Sequence, residues 1–148
     1  VVLTQIVGEF SEKAEANQLE MVVECPQPPV EIYVDGRHLW RIIDNLMGNI
    51  CKYAQPGTRV YVTLETFHGM VIMTFRNISK DRLKMTSEEI FGRFVRGDSS
   101  RNTEGHGLGL SIAKSLTELM HGNLAVQMDG DLFKVILSFE EYQEDKKQ

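Results

Sequence analysis

The chain has 148 residues, 42% of them hydrophobic and 25% charged, enough for one globular domain with a sizeable core and short for two. A net charge of -5 disfavours broad contact with nucleic acid or an anionic membrane surface, so an anionic ligand must be met by local clusters of Lys and Arg. Cys25 and Cys51 lack metal-ligand spacing and form no disulfide framework, which points to reduced thiols in an intracellular setting. There is no apolar run of membrane-spanning length and no signal peptide, and a first residue other than Met suggests an excised domain.

In chain order, residues 3–19 carry Leu3, Ile6, Val7, Phe10, Ala14 and Leu19 near helical spacing, which predicts a surface helix. MVVEC (21–25) and EIYV (31–34) predict short strands on either side of the proline-rich break PQPP. Asp35 then caps a long helix whose apolar side is Leu39, Ile42, Ile43, Leu46, Met47 and Ile50, ending at AQPG where Pro56 and Gly57 break the pattern. TRVYVTLETF and MVIMTFRN alternate and are joined through His68-Gly69, the pattern of a hairpin. Residues 78–107 are polar with little periodicity, longer than a passive connection, and predict a functional loop. A helix from Leu108 to about Met120 leads through His121-Gly122 into a last hairpin, NLAVQM and LFKVILSF, turned by Asp129-Gly130. The tail 140–148 is expected to fray. Helices and strands intermix, but the hairpins require much of the sheet to be antiparallel, against a doubly wound dinucleotide-binding domain.

Two constellations carry chemistry. On the second long helix, DNLMGNICKY places Asn45 and Asn49 four residues apart on one face, continued by Lys52 and Tyr53. Asn is a poor residue for a helix interior, so the pair suggests a shared polar ligand; the bland alternative is a solvated face with chance amides. For a magnesium triphosphate, an Asn carbonyl oxygen is a hard neutral ligand and Lys52 a point charge for phosphate. The second constellation is RFVRGDSSRNTEGHGLGL, in which Arg93, Arg96 and Arg101 crowd a short segment just before Gly105, Gly107 and Gly109. Those glycines permit close backbone approach, and the helix opening near Leu108 offers free amide donors to an anion. A lone run of alternating glycines is weak; preceded by arginines and a long polar stretch it predicts a phosphate-covering lid. The dinucleotide alternative fails because a polar loop, not a strand, precedes the glycines.

These residues also carry a family resemblance. NLMGNICKYA resembles the asparagine box of the GHKL nucleotide-binding superfamily, IFGRFVRGDSS its phenylalanine box, and GHGLGLSIAK the second glycine box of sensor histidine kinases, in matching order over nearly the whole chain. The resemblance implies the Bergerat fold, an α/β (α+β) two-layer sandwich with a mixed sheet of about five strands covered on one face by three helices. It implies ATP and Mg2+ as cofactors, with residues 1–148 as one ATP-binding domain and 78–107 as its lid. Asn49 matches the magnesium-binding Asn and Asn45 the polar position one turn earlier; together with Lys52 they are the expected catalytic residues. Lys52 and Tyr53 match residues that contact phosphate and the sugar region, Arg96 and Arg101 lid residues that reach the phosphates, and Gly105, His106, Gly107, Leu108 and Gly109 the segment that wraps them. Phe91 and Phe94 are expected to pack the lid, and Ser111, Ile112 and Ala113 to pack the helix after the glycines.

One departure stands out. Asn77 occupies the place of the family's adenine-reading Asp and Ser79 that of its glycine; an Asn still offers one acceptor oxygen to an adenine amino group.

The same resemblance implies a reaction class. ATP-hydrolysing members carry a Glu where this chain has Asn45, which cannot take a proton, so phosphoryl transfer to a partner's nucleophile is expected. None of the four histidines qualifies as phosphoacceptor: His38 opens a helix without a following acidic residue, His68 and His121 sit at turns, and His106 lies between glycines. The expected partners are therefore a histidine-bearing dimerisation domain upstream of Val1 and a response regulator. The full-length protein is expected to be a homodimer whose catalytic part is cytoplasmic and touches neither membrane nor nucleic acid. Two alternatives remain, an anti-sigma-factor-type serine kinase and a nucleotide-binding pseudokinase with weakened adenine recognition.

Overall fold

The computed structural model describes residues 3–25, 32, 34–80 and 106–140. The elements in chain order are α1 (Leu3–Gly8), α2 (Ser11–Ala16), β1 (Glu20–Glu24), α3 (Gly36–Tyr53), β2 (Arg59–Phe67), β3 (Met70–Ile78), α4 (His106–Leu119), β4 (Asn123–Asp129) and β5 (Leu132–Glu140). The five strands form one mixed sheet in the order β1-β2-β3-β5-β4. β1 runs parallel to β2, across the crossover that contains α3, and the other neighbours are antiparallel.

Period-two burial decides which sheet face meets the helices. Val71, Met73, Phe75 and Asn77 of β3 and Phe133, Val135, Leu137 and Phe139 of β5 are buried, as are Val60, Val62 and Leu64 of β2. They share one core with Leu39, Ile42, Ile43, Leu46, Met47 and Ile50 of α3 and with Leu110 and Ala113 of α4. α3 and α4 pack on each other as well as on the sheet, giving the two-layer arrangement expected from the sequence.

The first helix differs from expectation. The single helix predicted over 3–19 is two short ones, because the chain turns at Glu9 and Phe10 through the three-residue bonds Glu9 N to Ile6 O and Phe10 N to Val7 O, each 3.1 Å. Gly8, a poor helix former, precedes the turn, and Phe10 is buried with its ring 5.4 Å from that of Trp40 on α3. Leu19, assigned to that helix by periodicity, instead packs in the core between Gln18, at φ 63°, and β1. Of the strand predicted at 31–34 only Ile32 and Val34 are described; Ile32 is fully buried in a single-residue bridge. α4 begins at His106, two residues before its predicted start, and the last hairpin turns on Gly130 and Asp131, one residue later than predicted.

Local chemistry explains the well-defined ends. Asp35 Oδ1 accepts from the Arg37 backbone N–H at 2.9 Å, capping α3. Bonds from Arg37 also hold the Asp35 carboxyl below its ordinary value of 3.8. The β2–β3 turn uses His68 and Gly69 at φ 52° and 77°, the left-handed pair that matches strand twist in a two-residue hairpin. Cys25 and Cys51 are free thiols, and burial pushes the Cys51 thiol up, away from reactive thiolate.

Two stability predictions follow from these contacts. A Cβ at Gly122 would lie 2.5 Å from Phe139 Cε1 and 2.8 Å from the Ser138 carbonyl oxygen, whereas one at Gly48, inside α3, meets only Lys13 Nζ at 4.0 Å. Chemical denaturation should therefore show Gly122→Ala destabilised by about 1–3 kcal/mol and Gly48→Ala stabilised by about 0.5–1 kcal/mol. The Asp35 cap acts as an anion whose folded pKa is depressed, so its contribution is present above pH 3.8 and is lost as pH falls through the lower folded value. Asp35→Ala should lower Tm at neutral pH, and the gap to wild type should close in acid; a gap that is the same at all pH values would rule out the charged cap.

Candidate nucleotide-binding site

The site is organised on α3, whose sequence alternates between packing and polar work. Leu46, Met47 and Ile50 are fixed in the core, and Asn45 and Asn49 sit half-buried at the margin of that face. Asn49 Nδ2 donates to the Asn45 backbone carbonyl at 2.9 Å. This bond ties one N–H of the Asn49 carboxamide to the helix backbone and leaves its second N–H and its carbonyl oxygen outside that bond. Asn45 Nδ2, by contrast, is buried with no hydrogen-bond partner. Lys52 is exposed, its ammonium 5.4 Å from the centroid of the Tyr53 ring.

The end of α3 is tied to the end of β3. Ala54 N caps the helix on Ile50 O at 2.8 Å, Gln55 N bonds Ile78 O at 2.8 Å, and Lys80 N bonds Tyr53 O at 2.9 Å, with Ala54 and Ser79 paired across the junction. Asn77 is the last inward-facing residue of β3, continuing the row Val71, Met73 and Phe75. It is only 4% exposed, and its Oδ1 is buried without a partner. Ser79, also buried, is anchored by its backbone N–H to Asp131 O at 2.8 Å.

The backbone of His106, Gly107, Leu108 and Gly109 forms the first turn of α4, where amide groups lack intrahelical partners by geometry. That turn is held to the fold from Leu110 onward by Leu110 and Ala113 in the core, and Thr117 Oγ1 donates to Ala113 O at 2.7 Å. Arg93, Arg96, Arg101, Gly105, Phe91 and Phe94 lie outside the described residues. Of the loop predicted at 78–107, residues 78–80 complete β3 and its junction with α3, and 106–107 open α4.

Two features were missed in the sequence. Asp44, the one acidic residue of α3, pairs with Lys13 of α2 at 3.4 Å, and Cys51 Sγ meets Lys13 O at 3.8 Å, so α2 lies along α3 beside Asn45. A contact between residues 31 apart leaves no local signal. Arg76 Nε is buried without a partner, its guanidinium 6.0 Å from the Tyr61 ring. Strand alternation places it on the sheet face opposite Asn77, and only its position in an alternating run hinted at this.

Among the described residues no helix is long and apolar enough to cross a membrane, and no group of three or more His, Cys, Asp or Glu could hold a metal ion. The family model of histidine kinase-, DNA gyrase B- and HSP90-like ATPases matches residues 34–143. The sensor histidine kinase RppB of Synechocystis sp. is 32% identical over 140 residues, covering 91% of this chain and 31% of that protein. The sensor histidine kinase HprS of Escherichia coli is 38% identical over 106 residues, 70% of this chain and 22% of that protein. The chain thus spans less than a third of the length of these relatives. Among solved structures, the catalytic domain of histidine kinase ThkA superposes with a TM-score of 0.78 at 19% identity, over 97% of each chain. The mycobacterial sensor histidine kinase MprB gives 0.77 at 23% identity, over 95% of this chain and 97% of that one. With its asparagine-bearing helix laid across a five-stranded mixed sheet, the chain belongs to the family of histidine kinase-, DNA gyrase B- and HSP90-like ATPases.

Proposed function

We propose that this chain is the ATP-binding catalytic domain of a sensor histidine kinase, binding ATP with Mg2+ and passing the γ-phosphoryl group to a histidine on a separate dimerisation domain. One observation carries the reading: Asn45 Nδ2, a donor, and Asn77 Oδ1, an acceptor, are buried without partners on the two elements that the α3–β3 junction joins. Each orphaned group costs about 1–3 kcal/mol unless a ligand or water meets it, so their retention in adjoining elements suits a site that is completed by a polar molecule.

The residues present fit the expected cofactors. Asn49 has one amide N–H bonded to Asn45 O, and its carbonyl oxygen is a hard neutral donor of the kind such a cation would take. Since the described residues offer no cluster of acidic or imidazole ligands, magnesium would be shared between Asn49, water and the phosphates of the nucleotide. When bound, the ion neutralises charge on the transferring phosphates. Lys52 would add a point charge and the first-turn amides of α4 would donate to phosphate oxygens, and by the family resemblance Arg96 and Arg101, outside the described residues, are proposed to serve the same phosphates. Asn77 Oδ1 would accept from the adenine amino group, and Tyr53 would border the sugar.

Transfer rather than hydrolysis is supported by an amide, not a carboxylate, at position 45 of α3. Asn45 takes no proton, and Asp44 is turned to Lys13. The nucleophile is then the imidazole of the dimerisation domain, placed in line by docking of the two domains, and catalysis consists of positioning and charge neutralisation. In the full protein the product phosphohistidine would serve a response regulator, within a homodimer whose catalytic part is cytoplasmic.

Calorimetric titration with Mg-ATP should give saturable binding that Asn49→Ala weakens by about 10- to 100-fold, with the gap narrowing when EDTA removes the metal. Wild-type affinity in that variant would remove Asn49 from the site. The chain alone should hydrolyse ATP at a small fraction of the rate at which it phosphorylates an added histidine-bearing helical domain. Brisk multiple turnover by the isolated chain would place it with the ATPases, and binding without transfer would make it a pseudokinase.

A further inference from the structure

We infer that the outer face of the sheet carries a second ligand site, centred on Arg76, that takes a small organic monocarboxylate with an apolar body. Arg76 lies on the face of β3 turned away from the helices, and its cross-strand partners are Tyr61 of β2 and Lys134 of β5. Its guanidinium is 6.0 Å from the centre of the Tyr61 ring, and its Nε is buried without a hydrogen-bond partner. Among the described residues neither Arg76 nor Lys134 forms an ion pair. Position 76 therefore bears two penalties, a like charge directly across the strand pair and an unpaired buried donor. A Val or Thr there would incur neither and is a better strand former. Such a conflict between residue and surroundings is expected where a ligand supplies the missing charge.

Arg76 opens onto a cavity of about 370 Å³, lined in part by Glu24, Arg59, Tyr61, Ile78 and Leu132, a volume in the range of small-molecule sites. Ile78 and Leu132 are paired in the neighbouring row of the sheet, and Tyr61 and Ile78 are each 38% exposed, so the cavity has an apolar side beside its cation. Charge then selects the ligand. Arg59 is engaged by Glu20, Nε to Oε1 at 3.2 Å. Arg76 and Lys134 set against Glu24 leave a single positive charge, which suits a monoanion, whereas a phosphate dianion would also face the Glu24 carboxylate. The planar fork of a guanidinium matches a carboxylate, and Tyr61, Ile78 and Leu132 would cover an aromatic or branched aliphatic body. Asn77 also borders the cavity, but strand alternation turns its side chain to the opposite face, so this site is separate from the candidate nucleotide site.

The test is an NMR titration of the 15N-labelled chain at pH 7 and low salt with 3-phenylpropionate and with 4-methylpentanoate, following the Arg76 Nε–H resonance and the backbone amides of β2 and β3. At least one acid should give saturable shifts centred on Arg76. Acetate, which lacks the body, 3-phenylpropionamide, which lacks the charge, and inorganic phosphate should each bind at least about tenfold more weakly. Arg76→Gln should weaken the acid at least about tenfold while the amides of the helix-facing core keep their positions, and saturating Mg-ATP should not displace it. No saturable shift with either acid, or an affinity for phosphate or the uncharged amide equal to that for the acid, overturns the inference in the wild-type chain alone. Unchanged affinity in Arg76→Gln overturns it as well, and displacement by Mg-ATP would merge this cavity with the nucleotide site. None of these results bears on whether the chain binds ATP at α3.

Discussion

The junction between the end of α3 and the end of β3 is the constraint on which the site depends. Two backbone hydrogen bonds, Gln55 N to Ile78 O and Lys80 N to Tyr53 O, frame the Ala54–Ser79 pair and lock the last turn of a helix to the last residues of a strand. Backbone groups in such a place must be paired, and pairing them with each other leaves the two elements no freedom to drift apart. The polar side chains they carry are thereby held in fixed relation. Without the junction, Asn77 would be a buried amide at the end of a strand and Asn45 an uncomfortable residue in a helix.

The fold surrounds that junction with rigid packing and leaves the polar groups unsatisfied. Most of α3 is anchored by six fully or almost fully buried aliphatic residues, and β3 by an inward row of apolar ones ending at Asn77. An apolar residue in place of Asn77 would continue that row and remove an orphaned acceptor. Its presence is a local conflict with the packing pattern, of the kind found where function opposes stability. The same holds for Asn45 next to Leu46, whereas Asn49 bonds one amide N–H to the helix backbone.

The N-terminal helices add a second link to α3. Trp40 donates to Glu9 at 3.1 Å and stacks near Phe10, while Lys13 pairs with Asp44. As an exposed ion pair, Lys13–Asp44 adds little stability, but it gives the acidic neighbour of Asn45 a partner on α2. The helix with the candidate ligands is therefore gripped at its start by Phe10, in its middle by Lys13 and at its end by β3.

The sequence by itself determined the elements whose signals are local: the capped, amphipathic α3, the two antiparallel hairpins, the helix opening at the glycines, and the motifs that resemble the asparagine and glycine boxes. These are properties of spacing within a few residues, where periodicity and capping chemistry act. It also singled out Asn45 and Asn49 as poor residues for a helix interior, and Asn77 as a departure from the motif the chain resembles. Only the tertiary structure decided that the predicted first helix breaks at Phe10 to pack on Trp40, that β1 joins the sheet in parallel, that Asp44 is engaged by Lys13, and that Asn45 Nδ2 and Asn77 Oδ1 are among the buried atoms left without partners. The physical reason is that a residue's own neighbours along the chain set its backbone preference, whereas its burial and its hydrogen-bond partners come from segments tens of residues away.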